Sequence, residues 1–124
     1  MTPFTMILAL ASVIAVSVAQ ALVKHGMNRV GGVSLTDDQF LVSMQQALTD
    51  IFVIAGFLLV LLSIPLWLAV LSRLELSVAY PLASFGYVVA LVIGAVVFKE
   101  TITPLRMFGM FLVILGVLAI AKSQ

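Results

Sequence analysis

Four stretches of this chain carry no side-chain charge, and each approaches the length needed to cross a bilayer. Residues 1–23 run uncharged up to Lys24. Ile51 to Ser72 lie between Asp50 and Arg73, and Leu76 to Phe98 between Glu75 and Lys99. Met107 to Ala121 form the fourth, between Arg106 and Lys122. About 20 apolar residues in a helix cross a hydrocarbon core roughly 30 Å thick. The first three runs meet this directly. The fourth reaches across once Pro104 and Leu105 are added and Arg106 snorkels. Lipid cannot hydrogen-bond to the backbone, so each run must satisfy itself as a helix. The expected fold is an all-α integral membrane protein, a single domain over residues 1–124. Its four transmembrane helices span about 3–23, 51–72, 76–98 and 104–121. A signal peptide is the other reading of the first run. That run lacks a basic leading region, and its apolar stretch exceeds the usual length of roughly 7–15 residues.

Composition excludes most other classes. Apolar residues make up 64% of the 124 and charged residues 9%. Soluble domains have roughly 45–50% and about 25%. A small soluble fold cannot hide so much apolar surface, which excludes a globular soluble enzyme and a disordered chain. A net charge of +1 offers no basic patch for nucleic acid and no acidic tail. The absence of Cys removes disulfides, thiol catalysis and Cys-ligated metals, and one His cannot build a metal cluster. There is no metal-ligand spacing, phosphate loop or nucleophile–base set, so neither metal nor cofactor is expected. No ionisable side chain lies deep in a span, which argues against a carboxylate proton relay and an intramembrane enzyme.

The connection from 25 to 50 is the long one. Gly26, Gly31 and Gly32 are expected to keep its start from being helical. Thr36-Asp37-Asp38-Gln39 reads as a capping box with acids in the first turn. Leu41, Met44, Leu48 and Ile51 follow at spacings of three, four and three. They predict an amphipathic helix running into the second span, either shielding a cavity mouth at the interface or simply connecting. The turns at Arg73-Leu74-Glu75 and Lys99–Pro104 are tight, so neighbouring helices should be antiparallel. Lys24, Arg29, Lys99 and Arg106 on one side outnumber Arg73 and Lys122 on the other, which puts both termini outside. Opposed insertion of two copies stays open.

The third span carries the densest pattern. Ser77, Tyr80, Ser84 and Tyr87 recur at three, four and three residues, a polar stripe on one face. Gly86, Ala90 and Gly94 form a small-xxx-small ridge on a largely different face, suited to close helix approach. Pro81 interrupts the ladder beside Tyr80 and frees a carbonyl. The stripe either lines a polar path or glues the bundle by interhelical hydrogen bonds. In the first span Ser17, Gln20 and Lys24 share a face. Gln20 is suited to a polar headgroup and Lys24 to a phosphate, or they are a helix–helix bond and a snorkelling end residue. His25 reads as a solvated residue at the loop edge. Gly109 and Gly116, seven apart on an apolar fourth span, suggest docking against another subunit. Trp67, near the end of its run, reads as an interfacial anchor, with stacking on a substrate as the other reading.

Leu76-Ser77-Val78-Ala79-Tyr80-Pro81, Phe98-Lys99-Glu100-Thr101-Ile102-Thr103-Pro104 and Gly109 to Val117 together resemble the drug/metabolite transporter superfamily. The likeness is to its four-helix small multidrug resistance and EamA-like branches. The glycine-bearing fourth helix looks like the dimer motif of small multidrug pumps, and the glutamate after the third helix looks like EamA domains. Ser17-Val18-Ala19-Gln20 and Lys24 look more like the small paired subunits that flip aminoarabinose-phosphoundecaprenol. Multidrug pumps carry a membrane-embedded glutamate where this chain has Val16, and a third-helix tryptophan where it has Ala83. Without that carboxylate, proton-coupled export of cationic drugs cannot be carried over. The resemblance implies a multi-pass transporter of the bacterial inner membrane that flips a polyprenyl-phosphate-linked sugar or similar amphiphile. Gln20 and the third-span stripe would line the headgroup cavity. Lys24, with Lys99 or Arg106, would attract the phosphate. The tail would remain among membrane lipids, so the cavity must open sideways. One chain is too small for such a path, which implies a homodimer or a heterodimer with a similar four-helix subunit. Efflux of small polar or amphiphilic solutes is the second reading. The third is a non-transporting subunit that scaffolds an envelope enzyme.

Overall fold

A computed structural model describes residues 2–31, 33, 35, 36 and 38–123. Four helical segments are long and apolar enough to span a membrane, and a short helix lies between the first and second. Helix α1, Pro3–Val30, begins behind Thr2, whose side chain accepts a hydrogen bond from the Thr5 N–H, with Pro3 in the first turn. It ends at Gly31, whose φ of 93° provides a left-handed cap that donates to the Met27 carbonyl. Its 28 residues measure about 42 Å, so its last turns extend past the hydrocarbon.

That length corrects the expectation at Gly26, which is helical and buried. A Cβ there would lie 2.6 Å from both Asp50 Oδ1 and Val53 Cγ2. Gly26 therefore serves close approach between helices, and the helix stop falls to Gly31.

Helix α2, Phe40–Thr49, starts behind Gln39, four residues past Thr36, and so later than a capping box at Thr36 would place it. Asp37 of that motif lies outside the described residues. Nor does α2 run into the second span. Asp50 is extended, and its carboxylate accepts from the Phe52 and Val53 N–H groups at 2.9 and 3.3 Å. It thereby starts α3, Ile51–Leu71, as a new helix. Leu41 and Leu48 of the apolar stripe are exposed, and Ala47 is the residue that α2 buries.

The third span is broken into α4, Leu76–Ala83, and α5, Gly86–Val96. The break sits after Ala83, one turn beyond the position expected from Pro81. Ser84 N and Phe85 N donate to Pro81 O and Leu82 O, which tightens the ladder from four residues to three. The Ser84 hydroxyl competes for the same Pro81 carbonyl. Helix α6, Pro104–Lys122, is capped by Thr103, whose hydroxyl accepts from Arg106 N at 3.2 Å.

α1 is the hub, packed along α3 and then α5, while α4 rests on α6. A core at the terminal side joins Ala9 of α1, Val70, Leu74, and Val78, Ala79 and Leu82 of α4. Val117, Ile120 and Ala121 of α6 press on it from outside. At the opposite end Gly56 of α3 meets α1, where a Cβ would stand 2.6 Å from Val23 Cγ2 and 2.7 Å from Ala19 O. Backbone carbonyls cannot yield as flexible side chains do. Gly56→Ala should therefore cost about 1–3 kcal/mol by overpacking. Gly116, with nothing within 4 Å of its Cβ position, should tolerate Ala neutrally or gain up to about 1 kcal/mol of helix propensity. Unfolding of the two variants in detergent, followed by far-UV circular dichroism, checks the difference.

Candidate functional site

Where α1, α3 and the broken third span diverge, they leave a cavity of about 590 Å³. From α1 come Ser12, Val13, Val16, Ser17 and Gln20; from α3, Val60, Ser63, Ile64 and Trp67. Tyr80, Ala83, Ser84, Gly86, Tyr87 and Ala90 close the third wall. Gln20, Tyr80 and Tyr87 are exposed as well as lining, so the cavity is open at its side.

The polar groups divide by what they can still offer. Ser17 Oγ donates to Val13 O at 2.8 Å, Ser63 Oγ to Val60 O at 2.7 Å, and Ser84 Oγ to Pro81 O. Each hydroxyl hydrogen is satisfied by its own helix, leaving acceptor lone pairs for the cavity. Among the described residues, the side chains of Gln20, Tyr80 and Tyr87 make no hydrogen bond. They retain donors and acceptors for a ligand. Trp67 stands edge-on to Tyr80, with centroids 6.4 Å apart and planes at 89°. It is a wall of the cavity, where the sequence suggested an interfacial anchor. Its distance from the end of α3 carried no sign of which way it faced.

The sequence-derived candidates separate accordingly. Gln20, Tyr80, Ser84 and Tyr87 come together, with Ser12, Ser63 and Trp67 added. Ser77 does not join them. It is exposed one turn nearer the Arg73–Glu75 loop, at the level where Val70, Leu74 and Val78 pack solid. Gly86 and Ala90 line the cavity with Tyr80, Ser84 and Tyr87, so the small-residue ridge and the polar stripe do not lie on separate faces. A Cβ on Gly86 would lie 3.2 Å from Ser17 Oγ, so this glycine also seats α5 on α1. Gly94 sits beneath the Glu100 carboxylate. Gly109 and Gly116 have nothing within 4 Å of their Cβ positions and face away from the bundle.

A second cavity of about 230 Å³ shares Ser17, Gln20 and Ala90 with the first and continues from it toward the α1 C-terminus. Lys24 and Glu100 line it. Lys99 and Arg106 line neither cavity. Lys99 has a φ of 55°, after which the exposed Glu100 lays its carboxylate over Gly94, and Arg106 Nη1 donates to Thr101 O at 2.9 Å. His25 lies within α1 rather than in a loop and packs edge-on to Phe52 at 4.5 Å. Arg29 stacks over the same ring at 5.1 Å and pairs with Asp50 at 3.7 Å. Neither belongs to the cavity walls.

Comparison with known proteins gives full-length relatives. A protein of Photorhabdus laumondii is 36% identical over 121 residues, covering 93% of this chain and 94% of its own length. One from Shewanella sediminis is 35% identical over 129 residues, covering 96% and 88%. Both carry the name "probable 4-amino-4-deoxy-L-arabinose-phosphoundecaprenol flippase subunit ArnF". A subunit of the same flippase named ArnE, from Pseudomonas fluorescens, is 43% identical over 58 residues, 47% of this chain and 51% of its own. No protein-family model matches the chain, and no solved structure matches it.

The chain lacks cysteine, so single cysteines report water access without background. Ala83→Cys and Ala90→Cys, on the cavity wall, should react with a hydrophilic maleimide in intact membranes. Leu62→Cys, on an outward face of α3, should stay unlabelled, as read by a gel-shift assay.

Proposed function

Since this chain belongs to the family of ArnF subunits of 4-amino-4-deoxy-L-arabinose-phosphoundecaprenol flippases, we propose that it moves the headgroup of a polyprenyl-phosphate-linked aminosugar across the membrane. It is a multi-pass protein of the bacterial inner membrane. The observation that carries the reading is the laterally open cavity between three spans, a mostly apolar wall that carries the Gln20 amide and the Tyr80 and Tyr87 hydroxyls. A sugar headgroup loses its water on entering hydrocarbon, and each unmatched polar group costs several kcal/mol there. The Gln20 amide and the Tyr80 and Tyr87 hydroxyls replace that water, while the prenyl tail stays outside among the lipids. Lys24, one turn beyond Gln20 on α1, attracts the phosphate as it approaches from the membrane surface. A volume of about 590 Å³ accommodates a monosaccharide phosphate with room to turn. It falls within the roughly 300–1,000 Å³ common for ligand pockets.

The same geometry favours a transporter over the alternatives. Val16 and Ala83, the positions at which multidrug pumps carry glutamate and tryptophan, both line the cavity. An apolar methyl group there cannot exchange a proton for a cationic drug. Cavity walls of singly bonded hydroxyls hold a sugar but offer no activated nucleophile for an enzyme. The Gly109–Gly116 face of α6, with open space at both Cβ positions, is where a second small subunit docks, because bare backbone permits close helix approach in lipid. That subunit completes the wall that Tyr80 and Tyr87 leave open.

Translocation measured in proteoliposomes, with a short-chain polyprenyl phosphate aminosugar as probe, tests the proposal. A hydrogen bond contributes about 0.5–1.5 kcal/mol net, so Gln20→Ala and Tyr87→Phe should each slow transfer by roughly two- to tenfold. Unchanged rates in both would assign the cavity a packing role only. Gly116→Leu should separate the subunits, seen as loss of co-purification, without lowering the helix content of this chain.

A further inference from the structure

The smaller cavity holds one cation and one carboxylate that do not neutralise each other. Lys24 comes from α1 and Glu100 from the loop after α5. Among the described residues the ion pair within 4 Å is Arg29–Asp50, so Lys24 and Glu100, both exposed where they line the cavity, are not joined to each other. Each would gain from pairing if its role were to staple α1 to the loop.

The backbone is shaped to put the carboxylate there. Phe98 N donates back to Ile93 O at 3.4 Å, Lys99 adopts φ 55°, and Glu100 N donates to Gly94 O at 2.9 Å. The chain doubles back along α5, and the side chain of Glu100 lies over Gly94. A Cβ on Gly94 would stand 2.6 Å from Oε2 and 3.2 Å from Cδ. The bare glycine is the notch in which the carboxylate rests. A left-handed non-glycine residue carries a steric cost, so the arrangement is held against local preference.

We infer that Glu100 is the residue that selects lipid-linked sugars bearing a protonated amine, with Lys24 facing the phosphate of the same headgroup. The inference rests on the flippase reading above. A phosphodiester-linked aminosugar is a zwitterion, with its two charges separated by the sugar ring. The cavity offers an ammonium and a carboxylate on one lining with no ion pair between them, and joins the larger cavity through Ser17, Gln20 and Ala90. A neutral hydroxyl in place of the amine would leave the carboxylate partnered by water alone. A charge-assisted hydrogen bond is about twice as strong as a neutral one, so preference for the amine should be about tenfold or more.

The test is a ratio of rates. The full chain, co-reconstituted with its partner subunit in proteoliposomes, is given two probes: a short-chain polyprenyl phosphate carrying 4-amino-4-deoxyarabinose, and its 4-hydroxy counterpart. The wild type should favour the amine about tenfold or more, and Glu100→Gln should bring the ratio close to one. Gly94→Ala, which pushes the carboxylate out of its notch, should lower the ratio while Glu100 is intact. A ratio unchanged in Glu100→Gln, including a parallel fall of both rates, overturns the assignment. A wild type that moves both probes equally overturns it too, and leaves the flippase reading standing. A wild type that moves neither defeats that reading and the inference with it.

Discussion

The close contact between α1 and α3 is the constraint on which the rest of the structure depends. Gly26 and Gly56 let the two backbones approach until a methyl group would collide with the partner. In lipid there is no hydrophobic gain from bringing two apolar helices together, so such van der Waals contact is what holds them. Asp50 ties the same junction from the polar side. One carboxylate oxygen caps α3, and the other faces Arg29 at 3.7 Å. With α1 and α3 in close contact here and Ala9 and Val70 packed into one core at the other end, the cavity lies between those two contacts and is closed by the third span.

The cavity solves a problem particular to membranes. Polar groups facing hydrocarbon are costly, yet the proposed headgroup path needs them. Ser17, Ser63 and Ser84 place their protons on carbonyls of their own helices and so remain tolerable when the site is empty. Gln20, Tyr80 and Tyr87 keep their full capacity, and the two tyrosines set it on rings that are themselves at ease near lipid. No charge enters the larger cavity; the charged pair waits in the smaller one, nearer the surface.

Half of the cavity was legible in the chain. The spacing of Tyr80, Ser84 and Tyr87, and the lone amide of Gln20, mark faces by helical periodicity alone. Ser12 and Ser63 gave no such signal, because single serines bonded to their own backbone are common in membrane helices. Trp67 suited the interface by sequence and the cavity by structure. Ser77 belonged to the stripe by angle but not by depth, a coordinate that periodicity does not hold. Glu100 was visible only as part of a familiar-looking loop. Its place over Gly94 follows Lys99 taking a left-handed conformation, which nothing in a lysine announces.

Sequence by itself determined the number of spans, their helical state and the absence of an embedded acid. The cost of burying charge or unpaired backbone in hydrocarbon is local, so a count along the chain suffices. Tertiary structure alone decided which glycine ends a helix and which accepts a neighbour. It also decided where the third span breaks, and that Lys24 and Glu100 face one cavity without touching. Those outcomes depend on distances between segments far apart in the chain, and packing sets such distances.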